Sequence, residues 1–429
     1  MDNLIPTLYK SYGKFCNYRM IPNENDGLLP VERRVLLSVF QIARNKLTKS
    51  VRVDGFCLGH YHPHASAYNT IVQLVHQNFL IGQGNFGLFS QDLPAAAARY
   101  TEIKLNPIME KLAFELLDYV PWKAIDLDPE PSYLPTMFPL CLLGTTYKIG
   151  IGFGYKTLIP AYKQEDLFKR LMYLIGIRKR KPIIKPISDC EILSTDSELE
   201  ALLTTGKSKI KVKGIFEVNN EDYSVSLKSW PPGRKIESLI NKFKIELDQG
   251  DIGYSDFSDS NINIIFKVIK QRNRQLILDK FIKKLENEIT ADIPFDIIVI
   301  DINDNVKRTS VDQLLLNSYN NYTNLTSVML KDKKRELEDV LFEYNILEKI
   351  RPFLSKYLKK IDDYEEVIKS ISRDSKVGDN VIRLLFSKYR INKLLTLKID
   401  KEEIIEKIKF FDNNLNNLKE YVLKKYEEN

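Results

Sequence analysis

Glycine and proline all but vanish from the last quarter of this chain: of 18 of each in 429 residues, only Pro352 and Gly378 lie beyond about residue 328. Little there interrupts a helix, and Leu337, Leu341, Leu347, Ile350 and Leu354 trace an apolar stripe over several turns. The spacing predicts a long helical or coiled-coil arm. Between about 130 and 330 the pattern changes to short β-type runs at 210–212, 223–227, 262–269 and 295–300, broken by Pro and Gly. Such a pattern predicts an α+β domain. The first 130 residues read as closely spaced helices. From Pro30 to about Asn45, Val35, Val39 and Ile42 recur at helical spacing behind the Asp26-Gly27 turn. Ser66 reads as the cap of a second helix with Ile71, Val75 and Phe79 on one stripe, and Pro107 opens a third with Ile108, Leu112 and Leu116 inward. Helices joined by short loops predict a helix-turn-helix or winged-helix core. The expected fold class is α+β, with boundaries 1–130, 131–327 and 328–429.

A chain of this length buries a core without disulfide or metal staples. Cys16, Cys57, Cys141 and Cys190 are scattered with no Cys-x-x-Cys pair, which argues against a zinc ribbon or a secreted disulfide framework. No run approaches the roughly 20 apolar residues that span a bilayer. A soluble, unprocessed chain in the cytoplasm or another DNA-containing intracellular compartment is the expectation. The formal net charge of +7 permits a polyanionic partner without selecting one.

All four histidines, His60, His62, His64 and His76, fall in one window, three of them alternating in Gly-His-Tyr-His-Pro-His. Alternate positions on an extended segment face one way, so a metal site is one reading; no Cys or carboxylate at ligand spacing accompanies them, which favours contact with phosphates or bases. Gly82-Gln83-Gly84-Asn85-Phe86-Gly87 superficially fits a dinucleotide fingerprint. Helix precedes it rather than a parallel strand, so a turn that brings backbone close to something is the better inference. The same holds for Gly150, Gly152 and Gly154. Ala95-Ala96-Ala97-Ala98-Arg99-Tyr100-Thr101-Glu102 sets a cation beside one of 22 tyrosines. Most tyrosines only pack; a phenol attacks a phosphodiester if its proton is removed and a cation meets the charge that develops on the phosphate. Arg99 meets the second need.

These residues also carry a resemblance. Arg19-Met20-Ile21-Pro22, Asp26-Gly27-Leu28, Pro30-Val31-Glu32-Arg33-Arg34-Val35-Leu36, Tyr61-His62-Pro63-His64, the glycine turn and Ala96 to Glu102, in that order, resemble the A subunit of DNA gyrase and topoisomerase IV, a type IIA topoisomerase family. The match is strongest over about residues 10–160, weaker over the middle domain, and returns at Ile391 to Leu397. The resemblance implies that Tyr100 attacks a DNA phosphate to give a 5′-phosphotyrosine link. Arg99 would stabilise the developing charge, His64 would assist proton movement, and Arg19 would hold a neighbouring phosphate. His62, Arg33 and Arg34 would contact DNA, and Ile149 would wedge between base pairs. The chain departs from the family pattern at Leu29, where a basic residue is common, at Tyr147-Lys148, where small residues are usual, and over 61–70, which is shorter and carries Asn69 in place of an acid.

The resemblance also implies Mg²⁺ and ATP. Neither a Glu-Gly-Asp-Ser or Asp-x-Asp-type metal site nor a Walker motif is read in the sequence. A separate B-type subunit carrying ATPase and metal-binding domains is therefore expected, in a heterotetramer built on a homodimer of this chain, with double-stranded DNA as substrate. With no β-pinwheel in the sequence, relaxation or decatenation is expected over supercoiling. Two rival readings are a non-catalytic DNA-binding architectural dimer and a metal-dependent nuclease using the histidines.

Overall fold

A computed structural model describes residues 4–88, 93–232, 236–259, 261–357, 363–398 and 400–428. It mixes helix and sheet in an α+β arrangement and divides into two compact units, one through Tyr322 and one over Thr323–Glu428.

The first unit opens with α1 (Leu4–Met20) and α2 (Pro30–Ile42). Pro30 occupies the first turn of α2, where its missing N–H costs nothing, and Glu32 reaches back to accept the Leu29 N–H at 2.8 Å. Val35, Leu36 and Val39 are fully buried, each such side chain contributing roughly 1.5–3 kcal/mol. A two-residue strand β1 (Thr48–Lys49) leads into α3 (Ser50–His60), followed by α4 (Tyr68–His76), β2 (Leu80–Gln83) and β3 (Glu102–Leu105). The strands form a small antiparallel sheet in the order β1-β3-β2, with Ile103 paired to Thr48 on one side and Gly82 on the other. α5 (Pro107–Ala113) and the hairpin β4 (Trp122–Ala124) with β5 (Pro129–Pro131) complete this region.

Three local expectations are corrected. Ser66 does not cap α4 alone: Ala67 holds the cap position, and its N–H donates to Asp54 Oδ1 at 2.7 Å, while the Ser66 hydroxyl donates to Asp54 Oδ2 at 2.7 Å. The capping acid thus comes from α3, a helix whose two glycines hid it from the periodicity. Phe79 is buried but lies beyond the end of α4. Ile108 points outward at 55% exposed, because Met109, Leu112 and Leu116 take the inward positions.

A five-stranded antiparallel sheet follows, in the order β6-β7-β14-β9-β8. Its strands are β6 (Lys148–Ile151), β7 (Lys156–Ile159), β8 (Glu191–Ile192), β9 (Lys207–Lys213) and β14 (Thr290–Asp296), with α6 (Gln164–Leu174) and α7 (Asp196–Thr205) between them in sequence. A second sheet, ordered β10-β11-β13-β12, contains β10 (Phe216–Asn219), β11 (Ser224–Leu227), β12 (Ile252–Asp256) and β13 (Ile264–Val268). It packs with α8 (Ile236–Lys242), α9 (Lys244–Asp248) and α10 (Arg274–Glu288) around Phe243, Phe266 and Phe281. A hairpin, β15 (Ile298–Ile300) and β16 (Val306–Arg308), leads to α11 (Val311–Tyr357).

In the second unit the latter part of α11 packs with α12 (Tyr364–Ser375) and α13 (Asp379–Lys388) around Leu347, Ile350, Leu354, Ile368, Ile371 and Ile382. Leu347, Ile350 and Leu354 of the expected stripe are therefore core residues, whereas Leu337 and Leu341 are half-buried. α14 (Ile391–Thr396), α15 (Lys401–Asn416) and α16 (Leu418–Glu428) continue the helical run.

Candidate functional site

Two period-2 runs face each other. His60, His62 and His64 leave the end of α3, and Asp126, Asp128 and Glu130 alternate along the β4–β5 hairpin. The Asp128 N–H donates to the His60 carbonyl at 2.9 Å, which sets the register. His60 Nδ1 then lies 2.7 Å from Asp128 and His64 Nε2 lies 3.3 Å from Asp126. Arg34 sits between the runs, donating to Glu130 at 2.6–3.1 Å, to Asp126 at 2.7 Å, and to His62 Nδ1 at 3.2 Å. The acidic run stands in the sequence as Asp-x-Asp-x-Glu, which corrects the expectation that no Asp-x-Asp pattern is present, but nothing local in the sequence ties it to the histidines. Its carboxylates at 126 and 130 are taken up by the Arg34 guanidinium.

A guanidinium only donates, so His62 Nδ1 must carry the lone pair and its proton sits on Nε2. Burial, reinforced by the charge of Arg34, pushes His62 down from 6.5 to about 4, so its ring is neutral at pH 7. Burial works against ionised Asp126, but the hydrogen bond and charge of Arg34, then those of His64, hold it below the usual carboxylate range.

These groups border a cleft of about 630 Å³ lined by Arg19, Arg34, His62, His64 and Asp126 together with Tyr12, Phe15 and Phe153. Arg19 stands over the Phe15 ring at 5.4 Å and has no acidic partner among the described residues. The structure thus gathers Arg19, His62 and His64 in one place.

Arg33 and Arg34, expected on an exposed basic face, are both buried, and of the two only Arg34 lines the cleft. Each is 2% exposed. Arg33 donates to both oxygens of Asp26, at 2.7 and 3.2 Å, and Asp26 also accepts the N–H groups of Leu28 and Leu134 at 3.0 and 2.9 Å. Both charges are compensated by buried carboxylates inside the fold. Burial likewise pushes the Cys57 thiol up to about 11 and Cys141 up to about 12, so these cysteines are core groups.

Tyr100 lies outside the cleft and is 64% exposed, with the Arg99 guanidinium 4.7 Å from its ring centre. Its segment is tied down on both sides. The Tyr68 hydroxyl donates to the Ala96 carbonyl at 2.6 Å and meets Thr101 Oγ1 at 3.0 Å, and buried Thr101 donates to Ser50 Oγ at 2.8 Å. The glycine turn supports the segment from beneath. Gly84 has φ +109°, and a Cβ there would lie 3.1 Å from the Tyr100 carbonyl, so the close backbone approach is to the tyrosine's own loop. The preceding strand β2 is antiparallel in its sheet, and no helix opens on these glycines, which removes the dinucleotide reading.

Ile149 is 48% exposed on β6, an edge strand. Its neighbour Lys148 points the other way and forms a largely buried ion pair with Glu32 of α2. Gly150 lets this strand close on α1, since a Cβ there would meet the Met20 carbonyl at 2.6 Å. Among the described residues no group of three or more His, Cys, Asp or Glu is placed to hold a metal ion, and no helix is long and apolar enough to cross a membrane.

The family model for DNA gyrase/topoisomerase IV, A-type subunits, matches residues 19–428, and the chain belongs to that family. Among curated relatives, it is 27% identical to the DNA gyrase A subunit of Clostridium acetobutylicum over 92% of this chain and 49% of the relative. It is 26% identical to the DNA gyrase A subunit of Brachyspira hyodysenteriae over 94% and 50%, and 29% identical to the DNA topoisomerase 4 A subunit of Rickettsia conorii over 75% and 47%. The chain spans about half the length of the curated relatives it matches.

Proposed function

We propose that this chain is the DNA-cleaving and religating subunit of a type IIA topoisomerase and that Tyr100 is its nucleophile. The observation that carries this reading is the exposed Tyr100 ring beside Arg99, on a segment fixed by Tyr68, Thr101 and Gly84. A positioned nucleophile next to a cation needs little reorganisation at the moment of attack. Tyr100 Oη loses its proton and bonds to phosphorus; the bond from phosphorus to the 3′-oxygen breaks, and that oxygen takes up a proton. The product is a 5′-phosphotyrosine and a free 3′-hydroxyl, and the same steps reversed rejoin the strand without external energy.

In this reading Arg99 offsets charge on the transferring phosphate and Arg19 holds a neighbouring one. His64 and His62 border the path of the proton, His62 as a neutral ring with its Nε2–H available. Since these cleft residues and Tyr100 stand apart within one chain, a homodimer in which one copy's tyrosine meets the other's cleft would reunite them. Ile149, half exposed on an edge strand, is the wedge that bends the duplex. The winged-helix reading rests on α2, α3, α4 and the small sheet, the tower on the two larger sheets, and the coiled arm on α11; the proposed boundaries remain 1–130, 131–327 and 328–429. Double-stranded DNA is the substrate and strand passage relaxes or decatenates it. A separate B-type subunit supplies ATP hydrolysis and Mg²⁺, whose chemistry is to stabilise the attacking and leaving oxygens.

The Arg34 cation against His62 opposes a metal ion at the histidines, which disfavours the nuclease reading. Mixing the chain with a B-type partner, Mg²⁺ and supercoiled DNA, then denaturing rapidly with detergent, should trap protein-linked 5′ ends with wild type and none with Tyr100→Phe. An adduct that survives Tyr100→Phe, or no adduct with wild type, overturns the proposal. Binding without any adduct would return the architectural reading.

A further inference from the structure

Two carboxylates of the β4–β5 hairpin meet two histidines, and the pairs differ in their surroundings. Asp128 holds His60 at 2.7 Å away from the cleft, where the imidazole stacks on Phe56 with ring centres 4.1 Å apart. Asp126 holds His64 at 3.3 Å, and both line the cleft with Arg19 and His62. The oxygen that meets His64 is itself gripped: Arg34 Nη2 lies 2.7 Å from the same Oδ2, and buried Glu130 fixes Arg34 in turn. The His62 and His64 rings meet edge to face, with centres 5.2 Å apart at 77°.

An ionised carboxylate only accepts hydrogen bonds. Burial works against ionisation of Asp126, and the hydrogen bond and charge of Arg34 overcome it. The proton of a neutral His64 ring therefore sits on Nε2, and Nδ1 keeps its lone pair. That nitrogen has no hydrogen-bond partner among the described residues. One guanidinium thus sets both rings by opposite means. Its N–H on His62 Nδ1 leaves that ring an Nε2–H donor, while its grip on Asp126 leaves His64 an Nδ1 acceptor.

We propose that Asp126 is a positioning residue for proton transfer, fixing His64 as the Nε2–H tautomer so that Nδ1 takes the Tyr100 Oη proton. The Asp126 carboxylate balances the charge of the imidazolium that results. The proton passes from Nδ1 to the departing 3′-oxygen and returns by the same path when the strand is rejoined, so none is gained or lost over the cycle. Asp126 acts through His64, as the carboxylate of a hydrolase triad acts through its histidine. An amide in its place can donate to Nε2 and favour the opposite tautomer, whose Nδ1–H accepts no proton. The inference rests on the DNA-cleaving reading and deepens it.

The chain has four histidines, so ¹⁵N-histidine labelling of the full chain and long-range ¹⁵N–¹H correlation at pH 8 read the tautomer of each ring. His64 is assigned by its absence from the spectrum of His64→Gln. Wild type should show Nε2–H, and Asp126→Asn should gain the Nδ1–H form. A wild-type His64 protonated on Nδ1 overturns the inference without any variant having to fold. In the adduct assay with a B-type partner, Mg²⁺ and supercoiled DNA, the initial rate should fall roughly 10²-fold in Asp126→Asn. It should recover in part in Asp126→Glu and stay near wild type in Asp128→Asn. In a His64→Gln background, Asp126→Asn should cause no further loss. An undiminished rate in Asp126→Asn, an equal fall in Asp128→Asn, or a full further loss in the His64→Gln background overturns the inference. A wild-type adduct with no effect of Asp126 removes only this role, whereas no wild-type adduct overturns the cleaving reading and the role of Asp126 with it.

Discussion

Arg34 Nη1 lies 3.2 Å from His62 Nδ1, a contact that fixes the tautomer of a ring 28 residues away in sequence and, second to burial, keeps that ring neutral. Because the folded-state value of His62 is depressed from 6.5 to about 4, the native state binds fewer protons there than the unfolded chain between those values. Its contribution to stability is fully present above pH 6.5 and is lost as pH falls towards about 4. Urea unfolding of wild type and His62→Gln from pH 7.5 to 4 should show the variant losing less stability across that window. Parallel curves would remove the assignment.

Asp26 and Arg33 are a completed buried pair, so removing one partner leaves an uncompensated charge. Arg33→Met should cost about 3–5 kcal/mol, measured by urea denaturation. Asp26→Asn/Arg33→Met should recover part of that loss. If Arg33→Met instead weakened DNA binding with stability unchanged, Arg33 would be a phosphate contact after all.

The Glu32–Lys148 pair ties the strand bearing Ile149 to the first turn of α2, the same turn in which Glu32 accepts the Leu29 N–H. Ile149→Ala should reduce DNA bending, read by energy transfer between duplex ends, while binding persists. Lys148→Met should give a smaller loss of bending, and the exchange Glu32→Lys/Lys148→Glu should restore part of it. Full bending by Ile149→Ala would sink the wedge assignment, and full bending by Lys148→Met would sink only the positioning role of the pair.

Gly84 combines a left-handed φ with close contact to the Tyr100 carbonyl. Gly84→Ala should store about 1–3 kcal/mol of strain in the loop that presents the nucleophile. Adduct yield should fall well beyond the change in thermal stability; an unchanged yield would show that the loop tolerates the shift.

The periodicity of α2 and α4, the helical composition after about 328 and the β-type runs of the middle were legible because local apolar spacing encodes which face is buried. Arg99 and Tyr100 were legible because the pair is contiguous. α3 was not, since Gly55 and Gly59 weaken its pattern and its capping work, Asp54 on Ala67 and Ser66, is done for the next helix. The basic pair Arg33-Arg34 invited a surface reading, because a sequence gives charge but not the acids that will face it. Asp26 lies seven residues from Arg33 and Glu130 lies 96 from Arg34.

The sequence by itself determined the elements, the chemistry available and the family, all properties of residues and their spacing along the chain. Tertiary structure alone decided which charges are spent within the fold, that His62 is neutral, and that Ile149 faces outward on an edge strand. Those outcomes depend on pairings between distant segments, where burial and partner charge set protonation and strand register sets the face, and neither quantity exists until the chain has folded.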